Sequence, residues 1–123
     1  MIRGTTAQFK FKLPCTTDEL VSASVVFWQN GNKSFQPIKR VKDQCALLDG
    51  NYLCVSLTPS ETLRFSDKYK AQVQLRGQYD QTTFASRTEF ITVYPINEEA
   101  MDAEYPDDKE GYIILDGEKI TNI

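Results

Sequence analysis

The residues able to do chemistry in this chain are few. It has no histidine, which removes the commonest general base and metal ligand and with it the Ser-His and Cys-His nucleophile pairs. No GxGxxG, GxxxxGK[ST] or GxSxG stretch is present, so neither a phosphate cradle nor a nucleophile elbow is written in. Asp102, Glu104, Asp107, Asp108 and Glu110 form an acidic cluster that could weakly hold a divalent cation. It lacks EF-hand spacing and the turn glycine, so a solvated acidic arm is the expectation. No motif picks out a carboxylate pair for glycoside hydrolysis. The residues point to a protein that is not an enzyme, with no catalytic residue, no metal site and no cofactor.

Cys15, Cys45 and Cys54 are odd in number and form no CxxC pair. A disulfide framework would use an even count, so free thiols acting as small hydrophobes are expected. Trp28 has the chemistry to stack on a sugar ring, but packing is the expected use of a single Trp in a sandwich. Lys10, Lys12, Lys70 and Arg76, with Tyr79 and Phe84, suggest a nucleic-acid surface. Outward lysines also discourage edge-to-edge pairing, and that reading is preferred, with no nucleic-acid partner expected.

The elements that position these residues are strands. In "AQFKFKL", Ala7, Phe9, Phe11 and Leu13 alternate with polar residues, the period of a strand with one buried face. "VSASVVFWQ" follows, with Val21, Ala23, Val25 and Phe27 expected inside and Val26 and Trp28 on the other face. "NGN" (30–32) and "DGN" (49–51) are turns that tolerate positive φ. Pro37 assigns the segment between them to an edge. "YLCVSL" directs Leu53, Val55 and Leu57 inward. "KYKAQVQLRGQY" puts Tyr69, Ala71, Val73 and Leu75 in an inner row, and "FASRTEFITVYP" is the last strand of the body.

One helical turn interrupts this pattern. Thr58 stands at an N-cap, Pro59 at the first helical position, and Glu61 three residues after Thr58 completes a capping box. Leu63 and Phe65 are expected to turn inward. A capped helical crossover lets the chain change sheets, as sandwiches require. Six or seven short strands with regular turn signals make the chain an all-β sandwich over residues 1–96.

The remainder is different in kind. Residues 1–97 carry 12 Lys and Arg against 8 Asp and Glu, a net of +4, while residues 98–123 carry 2 against 9, a net of −7. Residues 97–123 read as an acidic arm. Asp116-Gly117 signals a β-hairpin at 112–121. An isolated hairpin is marginal in water, so Tyr112, Ile113, Ile114, Leu115 and Ile120 are expected to form a partner-binding arm. It would dock on its own sandwich, another copy or a different protein, with docking between molecules preferred. No apolar run approaches the ~20 residues of a membrane span. The opening residues lack the apolar stretch of a signal peptide, so a chain made in a cytoplasm and not inserted in a membrane is expected.

The layout "ELVSASVVFW…LLDGNYLCVSLTPSETLRFSDKYKAQVQLRGQYDQTTFASRTEFITV" resembles the immunoglobulin-like N-terminal domain of phage baseplate upper proteins. It also resembles short tail-module virion proteins of phages of Gram-positive hosts. Leu57, Thr58, Glu61, Thr62, Leu63 and Phe65 match the turn. Val73, Gln74 and Arg76, then Ala85, Ser86, Ile91 and Val93, match the strands that follow, and "IRGTT" (2–6) resembles their openings. The resemblance covers about residues 2–94 and carries no site. It implies an immunoglobulin-like fold, location in a virion assembled in the host cytoplasm, and a structural or interaction role in a tail or baseplate. Its partners would be other tail proteins and, through the arm, further copies of the chain. The alternative is a carbohydrate- or cell-surface-binding module of the same fold.

Overall fold

The computed structural model describes residues 1–95 and 113–115. Among the described residues nine strands form two sheets: β1 (Ala7–Lys12), β2 (Leu20–Trp28), β3 (Ile38–Val41), β4 (Ala46–Leu48), β5 (Tyr52–Leu57), β6 (Ala71–Tyr79), β7 (Thr82–Ala85), β8 (Glu89–Ile91) and β9 (Ile113–Leu115). The first sheet runs β4-β5-β1-β9, and the second runs β3-β2-β6-β7 with β8 also paired to β6. The pairings are antiparallel, except that β9 lies parallel to β1. The protein is an all-β sandwich.

The alternation in the sequence builds the core. Phe9 and Phe11 of β1 and Leu53, Val55 and Leu57 of β5 meet Val25 and Phe27 of β2 and Val73 and Leu75 of β6, all at 1% exposure or less. The Phe9 and Phe27 rings contact across the two sheets with centroids 5.0 Å apart. Burying each such side chain is worth about 1.5–3 kcal/mol, so this layer supplies the main driving force.

The helical turn is α1 (Pro59–Thr62), and it carries the chain from β5 in the first sheet to β6 in the second. Both halves of the capping box form: the Glu61 amide donates to Thr58 Oγ1 at 3.2 Å, and the Thr58 amide donates to Glu61 Oε1 at 2.9 Å. Arg40 of the edge strand β3 also donates to Glu61. Thr62 is fully buried; its hydroxyl donates to the Thr5 and Pro59 carbonyls and accepts from the Gly4 amide. The same turn is thus tied to the opening segment, whose Arg3 amide donates to the Tyr94 carbonyl after β8.

Four expectations are corrected. Val21 is 58% exposed because the β2–β6 register slips between Leu20 and Ser22, and Leu20 takes the inward place. Tyr69 is 45% exposed, before β6 begins, and its ring covers Gly31. Leu63 caps the end of α1 and is 43% exposed; only Phe65 turns fully inward. The last body strand is two strands, β7 and β8, split at Ser86. There the Ser86 hydroxyl accepts from the Leu75 amide while its own amide donates to the Leu75 carbonyl.

Candidate docking edge on the first sheet

The arm residues of the sequence reading fall partly within the described residues. Ile113, Ile114 and Leu115 form β9 and register with Phe9, Lys10 and Phe11 of β1. Tyr112, Ile120 and the rest of the hairpin at 112–121 lie outside the described residues, as does the acidic cluster at 102–110. β1 thereby takes six antiparallel partners from β5 on one side and three parallel partners from β9 on the other.

Alternation decides what β1 presents. Ala7, Phe9 and Phe11 point into the sandwich, while Lys10 and Lys12 stand on the outer face. Both ammonium groups lie over the Tyr52 ring, at 4.5 and 4.8 Å from its centroid, and Lys12 Nζ also donates to the Gly50 carbonyl. Cation–π contact holds these side chains along the sheet. The strand therefore offers a buried apolar face, a cationic outer face and a backbone edge that β9 extends.

The remaining candidates disperse. Lys10 and Lys12 belong to the first sheet and Arg76 to the second, and Phe84 is buried at 2% exposure, so these four side chains do not come together on one face. Trp28 ends β2 outside the buried core cluster, opposite Gln72 on the outer face of the second sheet. That is the face expected for Val26 and Trp28, because the alternation of β2 assigns the inward places to Ala23, Val25 and Phe27. The three cysteines are free thiols. Burial, reinforced by the neighbouring Cys54, pushes the Cys45 thiol up to about 11. Burial raises Cys15 and Cys54 as well, so none is an activated nucleophile. Among the described residues no three His, Cys, Asp or Glu side chains gather as metal ligands, and no helix is long and apolar enough to cross a membrane.

One polar constellation gave no signal in the sequence. Gln29 is 4% exposed. Its Nε2 donates to the Ser66 and Tyr69 carbonyls, and its Oε1 accepts from the Ser66 amide and Asn32 Nδ2. It joins the turn after β2 to the loop between α1 and β6.

Comparison with protein families, with curated proteins and with solved structures finds no match for this chain.

Proposed function

We propose that this chain is a structural and interaction component of a phage tail or baseplate, docking to neighbouring subunits by strand addition at β1. The observation that carries the reading is the parallel pairing of Ile113–Leu115 with Phe9–Phe11. Tyr94 bridges to Ile2, and Ile113 pairs with Phe9, seven residues further along the same segment. At most about 25 Å of chain is needed to cover that distance. The 17 residues from Ile96 to Gly111 and Tyr112 can extend to about 60 Å. The length is more than closure on the same sandwich requires, so the arm has slack to reach beyond its own β1.

Two further features support the reading. The strand order β4-β5-β1 facing β3-β2-β6-β7 is compatible with the D-E-B and C′-C-F-G order of immunoglobulin-like sandwiches. The net charges of +4 on residues 1–97 and −7 on residues 98–123 favour encounter between one copy's arm and another copy's body. Closed rings of identical subunits use such head-to-tail contacts.

Sedimentation velocity on the full chain and on Ile114→Pro tests the proposal, since proline removes the backbone donor at the centre of β9. The full chain is expected to self-associate with rising concentration, more weakly at high salt, and the variant to stay monomeric. Monomers in both cases would overturn docking through copies of this chain. Tail genes on both sides of its own gene are the expected genomic setting.

A further inference from the structure

The outer face of the second sheet carries a second, separate surface. Residues opposite one another on neighbouring strands share a face, so the register places Trp28, Gln72 and Phe90 in one row across β2, β6 and β8. Trp28 is partly exposed and Phe90 is 61% exposed. Gln72 between them is 6% exposed, its Oε1 accepting from the Asn30 amide. Two interstrand spacings separate the aromatic residues, about 10 Å. Four to six residues along β6, about 14–20 Å away, the same face sinks into a shallow concavity of about 300 Å³ lined by Ser22, Ser24, Arg76 and Gln78. Ala23, Gly77 and Thr83 complete its lining. Between the two ends, Gln74 donates to the Ser86 carbonyl and accepts from Arg76 Nε, which fixes the guanidinium on the strip.

We infer that this strip binds an extended acidic oligosaccharide. The aromatic end can stack on the apolar face of a sugar ring. The hydroxyls and amides at the other end can pair with sugar hydroxyls, and Arg76 can take a carboxylate, sulfate or phosphate. Charge selects among sugars: the outward positions of β2, β3, β6, β7 and β8 include Lys39 and Arg76 and no Asp or Glu. Charge also argues against single-stranded nucleic acid, which calls for a cationic groove that follows the backbone, whereas the outward strand positions of this sheet carry two cations, Lys39 and Arg76. A face this open and this polar along β6 suits a chain lying across it rather than a small molecule enclosed in a pocket.

An array of neutral, carboxylated, sulfated and phosphorylated oligosaccharides, probed with the full chain, tests the inference. Binding is expected among the acidic sugars and is expected to weaken with salt. Trp28→Ala and Phe90→Ala should each lower it at least tenfold, and Arg76→Gln should narrow the preference for acidic over neutral sugars. Phe90 is exposed, so its variant is expected to fold even if Trp28→Ala does not. The inference is overturned if no acidic sugar binds, or if binding survives Phe90→Ala unchanged. It is also overturned if oligothymidylate binds more tightly than any sugar, or if the variants alter only self-association.

Discussion

Glu61 carries more than its place in the sequence suggests. Read as a capping-box residue, Glu61→Ala should cost somewhat less than Thr58→Ala, whose loss is about 1 kcal/mol, typical of an N-cap. The structure adds the Arg40 ion pair to the same carboxylate, and hydrogen bonds to charged groups contribute about 1.5–3 kcal/mol. The order is therefore reversed: Glu61→Ala is expected to lower the chemical-denaturation free energy by about 2 kcal/mol and Thr58→Ala by about 1 kcal/mol. The Glu61 carboxyl is subject to burial, which raises it, but the hydrogen bonds from Arg40 and Thr58 outweigh burial and hold it below its usual range. A carboxyl with a lowered folded-state value stabilises the fold above its unfolded value of 4.5 and loses that contribution as pH falls through the lower, folded value. The difference in stability between the protein and Glu61→Gln should accordingly shrink below pH 4.5. Gln29 gives a second prediction at this scale. Gln29→Ala leaves backbone groups of Ser66 and Tyr69 without their side-chain partner, and a loss of about 3 kcal/mol or more in the same assay is expected. At Cys45, raised to about 11, alkylation should be slow at neutral pH and accelerate toward that value, and three thiols should be counted after denaturation.

The elements show where local pattern suffices and where it fails. The rows Phe9–Phe11, Leu53–Leu57 and Val73–Leu75 were legible because period-two alternation survives intact within each strand. The capped turn was legible because its signals are all within four residues. Val21 was misread because a bulge shifts the phase of the pattern, and nothing in "ELVSAS" marks the slip. The break at Ser86 was hidden for a similar reason: a buried hydroxyl replaces a ladder partner, which depends on β6 rather than on the neighbouring sequence. The row Trp28–Gln72–Phe90 needs the register of three strands before it exists, so no single stretch announces it. Gly77 offers a test of the sheet geometry. A Cβ there would stand 2.5 Å from Phe84 Cζ and 2.7 Å from the Ser22 carbonyl oxygen. Overpacking of this kind costs about 1–3 kcal/mol, and a backbone atom cannot give way as a flexible side-chain end can. Gly77→Ala should lower the denaturation midpoint, and an unchanged midpoint would contradict the close approach of β2, β6 and β7.

For the whole molecule, the sandwich presents two separate surfaces on different sheets. The β1 edge of the first sheet takes a parallel strand, and the outer face of the second sheet carries aromatic and cationic groups. A subunit built this way can hold neighbours with one sheet while leaving the other open. β1 is also paired along its six residues with β5, so it keeps one ladder partner when β9 is donated to a neighbour. Exchange of β9 between copies is the central claim, and isotope-filtered NMR on an equimolar mixture of labelled and unlabelled chain tests it most directly. Strand exchange predicts contacts between Lys10 of one copy and Ile114 of another in the associated species. Contacts confined to single chains, in a species that remains monomeric at the highest concentration, would contradict it.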